Sequence, residues 1–594
     1  MPACYNKRMN CVLILLQTGF MAFYMVVAGS AHAEDKKATY TFEVAGVEEA
    51  LADNVRVFLN NMTADCDTSA SMRRSLQEKI PQQVQLALQP YGYYQAQVSD
   101  IDMQADNGCW HISININPGQ PVTIRHVDVQ LLGPGRSHEA LKAIDVSDYL
   151  TVGEVFVDQE YQRLKQALRQ WANQYGFLDA DFTARTVDVF TRQRAADITL
   201  SFATGPRYRL NEVRVEQKPE FMRSRFLRGL IGLEPDQYLN NQTLIDVRKR
   251  LVASRYFDQI SVTYGDKNQQ QATVPVLVSV TPGYRIDYSI GLGYTTDTGA
   301  RSTFEYQHHR LNDRGFQLSA KLQLAQVNNE FSASMKFPSL SNPDEKWYNL
   351  DIGHRQERND VYDADTTKIG VSQTRLQTDR WQNINFIDVL QEDYQFGDQQ
   401  NSSQLLVPGT GWTFQQVDDP LNPRFGFKAQ MDFKLATEQV FSDMSMVQIS
   451  GRVKSILPVA DRDRIIMRAE IGTTATSDFN QLPASYRYYA GGDQSVRGFD
   501  YKSLSPVNAS GEAVGGKHLA VASVEYEYRL NDSYALAVFA DGGNAFTDEF
   551  EFAGAVGVGF RWFSPIGPLR VDVGVPVTDA DHDFRIHLSL GPDL

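Results

Sequence analysis

Ile286-Asp287-Tyr288-Ser289-Ile290-Gly291-Leu292-Gly293-Tyr294 decides the fold class. Large apolar side chains stand at every second position, with small or charged ones between them. Successive side chains of a strand point to opposite faces, so this strand has one oily and one polar face. The alternation returns in Val556, Val558, Phe560 and Trp562 against Gly557, Gly559 and Arg561, and in Leu569, Val571, Val573 and Val575 against Arg570, Asp572 and Gly574. It returns once more in Phe584, Ile586, Leu588 and Leu590 against Arg585, His587 and Ser589. Residues 284–594 hold about sixteen such runs, broken by Gly, Asn, Asp and Pro clusters and ended by aromatics, as lipid-facing barrel strands are. A soluble sandwich shares the alternation but turns its charges outward. A sheet in hydrocarbon has to close, because an open edge leaves backbone groups unsatisfied. The expectation is a transmembrane antiparallel β-barrel of about sixteen strands over residues 284–594.

The start of the chain supports export. Lys7 and Arg8 form a basic region, Val12 to Val27 is apolar apart from Gln17 and Thr18, and Ala31-His32-Ala33 has small residues where a signal is cleaved. Residues 1–33 thus read as a signal peptide, with the mature chain starting near Glu34. A retained inner-membrane anchor is the competing reading, for which the stretch is short. Cys4 and Cys11 leave with the signal. Cys66 and Cys109 remain, an even pair in an oxidising compartment, so a disulfide is expected. Two buried free thiols are the alternative. The formal net charge of −15 argues against a nucleic-acid partner, which favours a basic patch.

Between signal and barrel, helical and strand periodicities mix and repeat at roughly 80 residues. The middle unit is clearest. Val122 to Leu131 reads as a strand; Tyr161, Leu164, Leu168 and Trp171 recur at helical spacing. Tyr175-Gly176-Phe177 ends that helix at a glycine suited to a left-handed cap, and Phe182 to Phe190 and Ala196 to Phe202 are two more strands. Tyr91-Gly92-Tyr93-Tyr94 and Arg255-Tyr256-Phe257 hold the corresponding place in the flanking units, after helices containing Ile80, Val84 and Leu88, and Leu244 to Ser254. The shared order is strand, helix, helix, strand, strand, an α+β unit in three copies: 34–119, 120–206 and 207–283. The edge of so short a sheet can accept a further strand.

One insertion, Thr473 to Gly516, interrupts the barrel pattern. It is rich in Gly and aromatics and contains Tyr486-Arg487-Tyr488-Tyr489-Ala490-Gly491-Gly492-Asp493-Gln494-Ser495-Val496-Arg497-Gly498-Phe499. Loops of this length in compact structures are functional or disordered, and this composition argues for order. Val496-Arg497-Gly498-Phe499 resembles the loop signature of the BamA/TamA superfamily of assembly and transport barrels, and the three repeats resemble POTRA domains. The run from Gly559 to Asp572, the segments Ala490-Gly491-Gly492-Asp493 and Gly515-Gly516-Lys517, and the end Leu590-Gly591-Pro592-Asp593-Leu594 resemble the TamA branch.

The resemblance implies a loop folded back into the lumen, with Arg497, Gly498 and Phe499 locked to the barrel through an inward acid, Asp541. Alternation independently turns Asp541 inward, since Leu536, Val538 and Ala540 face lipid. It also implies a lateral seam between the first and last strands, formed by Ile286, Tyr288, Ile290 and Leu292 on one side and Ile586, Leu588, Leu590 and Gly591 on the other. Gly591 and Pro592 weaken a ladder, so this seam is expected to be short. The implied function is an outer-membrane assembly factor that inserts or translocates proteins, autotransporter-like clients among them. It would work beside lipid and lipopolysaccharide with an inner-membrane-anchored partner of the TamB type, its repeats in the periplasm. A phospholipid-transport bridge and a more general BamA-like insertase are the alternatives.

Other classes fit less well. A passive pore needs neither repeats nor a long insertion. No Gly-x-Ser-x-Gly and no nucleophile, base and acid set is brought together, so neither enzyme activity nor a cofactor is expected. His308 and His309 are adjacent, a poor arrangement for one metal. Asp579-Ala580-Asp581-His582-Asp583 reads as a solvated turn rather than a cation site.

Overall fold

The computed structural model describes residues 40–62, 66, 68–106, 109–419, 422–460, 462–564, 567–578 and 583–590. The signal reading of residues 1–33, the start near Glu34, the turn Asp579–His582 and the terminal Gly591, Pro592 and Leu594 lie outside the described residues. The chain forms two compact units, one ending at Arg207 and one beginning at Tyr208.

The first unit holds two repeats. In the first, β1 (Thr41–Ala45), α1 (Glu49–Asn60), α2 (Ala70–Leu88), β2 (Gln97–Asp106) and β3 (Cys109–Asn117) give a sheet ordered β1-β3-β2. The strand β1 runs parallel to β3, and β2 antiparallel to it. Ser69 starts α2 by accepting the Met72 N–H at 3.2 Å, satisfying a backbone donor that the helix cannot. Leu76, Ile80, Val84 and Leu88 recur at helical spacing, and all are buried against the sheet. Cys66 and Cys109 form a disulfide with Cα atoms 5.0 Å apart. It ties the segment before α2 to the start of the central strand.

The second repeat is β4 (Thr123–Leu132), α3 (Glu139–Lys142), α4 (Asp158–Tyr175), β5 (Asp181–Phe190) and β6 (Ala195–Ala203), ordered β4-β6-β5. Tyr161, Leu164, Leu168 and Trp171 are the buried face of α4. Gly176 takes φ 84° to end it, and Trp171 then stacks on Phe177 at 4.6 Å. The first helix here is one turn. Gly133-Pro134-Gly135 opens its segment with a 3₁₀ turn, and Asp145 caps another after it, which leaves little chain for a longer helix.

The second unit opens with the third repeat: β7 (Arg209–Gln217), α5 (Ser224–Ile231), α6 (Asn241–Ala253), β8 (Phe257–Tyr264) and β9 (Thr273–Pro282), ordered β7-β9-β8. Asn240 and Thr243 form a reciprocal capping box at α6. Arg255 adopts φ 57° where the other repeats place Gly92 and Gly176. A residue with a side chain pays about 1–2 kcal/mol for that conformation. The repeat is seated on the barrel: Arg223 pairs with Asp313 at 2.7 Å, and the Tyr256 hydroxyl donates to the Gly315 carbonyl at 2.7 Å. Burial pushes the Tyr256 phenol pKa up.

Sixteen strands, β10 (Ile286–Thr295) to β25 (Arg585–Leu590), close into an antiparallel barrel. The alternation sorts the faces as read. Ile290 and Leu292 are 77% and 78% exposed on the outside, whereas Arg561 and Asp541 are 1% and 4% exposed inside. The inward loop runs between β20 (Arg464–Thr476) and β21 (His518–Arg529), so it begins after Thr476 rather than at Thr473. Thr473 and Thr474, with β-branched residues suited to a pleated surface, continue the ladder: Thr473 pairs with His518. No helix among the described residues is long and apolar enough to cross a membrane; crossing by strands is a separate matter.

Replacing Cys66 by Ser is expected to cost the first repeat about 2–4 kcal/mol under oxidising conditions. Hydrogen exchange over residues 41–117 of the intact chain measures it, and unchanged protection would refute a structural role for the bridge.

Candidate functional site

The site begins with the meeting of first and last strands. β10 pairs with β11 (Gly299–His308) along its whole length. Toward β25 it makes one register pair among the described residues, Thr295 with Ser589. Two more bonds join the same corner: Thr296 N–H to the Leu588 carbonyl at 3.1 Å, and Leu588 N–H to Thr296 Oγ1 at 3.3 Å. On its other side β25 pairs with β24 (Gly567–Pro576) from Leu590 opposite Leu569 to Arg585 opposite Gly574. Ile286 to Tyr294 therefore present an edge with no strand partner among the described residues. Such an edge is a template for another chain. Ile286, Tyr288, Ile290 and Leu292 line it with exposed side chains, and Ile586 is exposed across from them. Leu588 and Leu590 are half-buried, and Gly591 lies outside the described residues.

The second component is the loop between Thr476 and His518. Arg497 is buried among inward side chains of β21, β22 (Tyr534–Phe546) and β24. Its Nε donates to Asp541 Oδ2 at 2.7 Å and its Nη2 to Asp541 Oδ1 at 2.9 Å. This is the two-pronged grip that a planar guanidinium makes on a carboxylate. The Arg497 backbone N–H also donates to Asp541. Nη1 reaches Glu525 at 2.6 Å and Asp572 at 3.2 Å. Arg561, on β23 (Ala553–Ser564), closes the network by donating to the free oxygens of Glu525 and Asp572 at 2.7 and 2.5 Å. The face of Phe539 lies 3.4 Å from the Arg497 guanidinium. Glu525 and Asp572 are thus held by both guanidiniums, whereas Asp541 pairs with Arg497, and removing Arg497 leaves Asp541 buried without that partner.

The neighbours of Arg497 fix the loop sterically. Gly498 has φ 96°, and a Cβ there would lie 3.3 Å from Ala555, Gly574 and Pro576. Val496 and Phe499 are buried against Leu519, Ala545, Ala553 and Ala555. Two further cations hold the loop in place. Arg487 ties the loop to itself, donating to the carbonyls of Leu482, Val514, Phe479 and Asn480, and lies over the Phe396 ring of the opposite wall at 4.5 Å. Lys502 pairs with Glu357 at 2.6 Å and with the Tyr362 hydroxyl. The loop is a brace across the lumen.

The sequence reading placed Arg497 opposite Asp541 and left Glu525, Arg561 and Asp572 without roles, although strand phase puts all three inside. It left His587 and Asp297 unassigned as well. His308 is the last residue of β11, and His309, just beyond it, is buried with Nε2 2.6 Å from Asp287 Oδ2.

Arg497→Ala is expected to destabilise the barrel by about 3–5 kcal/mol, read as urea unfolding in detergent micelles. The double variant with Asp541→Ala should recover part of the loss, because the stranded acid is gone. Additive losses would break the claimed coupling.

The chain matches the Omp85 superfamily domain over residues 258–593 and the first POTRA domain of TamA over residues 41–118. It is 22% identical over 528 residues to the outer membrane protein assembly factor BamA of Nitratidesulfovibrio vulgaris. That alignment covers 84% of this chain and 66% of the relative, so the chain spans just under two thirds of that protein's length. BamA from Haemophilus ducreyi lacking POTRA domains 1–3 has a similar fold, with a TM-score of 0.67 at 14% identity, over 79% of this chain and 99% of that one. The chain therefore belongs to the Omp85 superfamily, as an outer-membrane β-barrel whose POTRA repeats lie in the periplasm.

Proposed function

We propose that this protein is an outer-membrane assembly factor that takes up strands of client proteins at the seam between β10 and β25 and inserts or translocates them. The observation that carries the reading is the edge from Ile286 to Tyr294, paired on one side only among the described residues. A backbone edge in hydrocarbon costs several kcal/mol for each unmade hydrogen bond. An incoming strand that supplies those bonds by β-augmentation is bound by the same physics. The lumen is occupied by the braced loop, which suits a machine working at its wall better than an open pore. We further assign autotransporter-like proteins as clients and an inner-membrane-anchored TamB-type protein as partner. The match of residues 41–118 to the TamA repeat supports the partner. So do β1 and β2, the two outer strands of that sheet.

Thr295→Cys with Ser589→Cys places a disulfide where the strands pair directly. Oxidised, this variant should fail to support client assembly in cells, and mild reduction should restore it. Full assembly with the seam locked would rule out uptake there.

A further inference from the structure

The tip of the inward loop touches both sides of the seam. On the last-strand side, the Gly498 N–H donates to Nε2 of His587 at 2.9 Å, and Asp500 forms an ion pair with Arg585. On the first-strand side, the Asp493 N–H donates to Oδ2 of Asp297, in the turn joining β10 to β11. The two sides then face each other: His587 Nδ1 lies 3.8 Å from Asp297 Oδ1, with the side chains 2% and 1% exposed. Neither atom has a hydrogen-bond partner among the described residues, nor has Asp493 Oδ2. Among the described residues one register pair joins β10 and β25 directly, and the loop tip adds contacts to both sides of that corner.

We propose that this tip is the clasp of the seam and that His587 is its pin, a positioning residue whose protonation decides whether it is held from the loop or from the first turn. The inference deepens the uptake reading, on which its biological meaning rests, by naming what keeps the seam shut.

The chemistry follows from donor and acceptor roles. A backbone N–H only donates, so Nε2 of His587 accepts, and the neutral ring keeps its proton on Nδ1, toward Asp297. A second proton places an N–H on Nε2, facing the Gly498 N–H, and that bond is lost. The same proton makes the ring cationic beside Asp297. The charged groups around it are Asp297 in the first turn, Asp493 and Arg497 in the loop, Asp572 on β24 and Arg585 on its own strand, with Lys454, Arg468, Glu525, Arg561 and Arg570 lining the same small cavity. Asp572 is engaged by Arg497 and Arg561, and Arg585 by Asp500. Asp297, 3.8 Å from Nδ1, is the carboxylate left to answer the new charge. Acid therefore removes the Gly498–His587 hold, leaving Asp500 and Arg585 as the loop tip's contact with β25, and ties His587 to the first turn.

The test uses the full chain in lipid nanodiscs without client, followed by hydrogen exchange of the segment around Gly498. Between about pH 8 and about pH 4, from above the ordinary histidine range to well below it, protection corrected for intrinsic exchange should fall about tenfold, as one lost hydrogen bond predicts. His587→Gln offers an oxygen to the Gly498 N–H but takes no proton, so it should hold protection at both ends. A flat wild-type profile, or the same step in His587→Gln, overturns the proposal. If His587→Gln fails to fold, Asp297→Asn carries the test. Losing the carboxylate that favours the charged ring should move the step to lower pH, and an unmoved midpoint overturns the pairing. These readouts need no client, so their failure leaves the uptake reading standing, and failure of the locked-seam experiment leaves the clasp standing.

Discussion

Hydrocarbon offers a peptide group no hydrogen-bond partner, and the second unit is organised around that fact. Every barrel strand from β11 to β24 is laddered on both sides. The exception falls at the one place where chain order forces the cylinder to close on itself. There, among the described residues, first and last strands share a corner rather than an edge. The outward faces obey the same constraint through Ile290, Leu292, Val538 and Val558, all more than half exposed to the surroundings.

The polar side of each strand then has to be dealt with inside. Charges turned inward need partners, and the loop supplies the principal one in Arg497. A buried pair of this kind is weak as a source of net stability but strong as a specifier, because no other arrangement satisfies all its members. Arg497 touches β21, β22 and β24 at once, while Arg487 and Lys502 hold the same loop near the far wall. The order expected of this Gly-rich insertion comes from those anchors.

Much of this was legible in the residues, for identifiable reasons. A period of two with one oily face has few physical solutions, so the barrel, its span and its inward acids could be read from Ile286–Tyr294 and Val556–Trp562. Asp541 was found because Leu536 and Val538 fix its phase. The helix of the middle repeat was equally readable, since Tyr161 to Trp171 keep a 3.6 period and Gly176 ends it. What escaped was set by contacts distant in sequence. Glu525 and Asp572 look like ordinary inward acids until Arg497 and Arg561 arrive from elsewhere in the chain. His587 and Asp297 are separated by almost the whole barrel, and nothing local marks either. The third repeat breaks its own motif, because Arg255 takes a backbone conformation that composition assigns to glycine.

The one register pair of the seam among the described residues has an energetic meaning for the proposed function. Opening it gives up the few hydrogen bonds at Thr295 and Thr296, each worth several kcal/mol where no water can replace it, and a client strand pairing along Ile286 to Tyr294 would supply others. On the proposed reading, uptake exchanges one set of strand pairings for another, so the few bonds at the corner set the resistance to opening and the client's own closure supplies the direction.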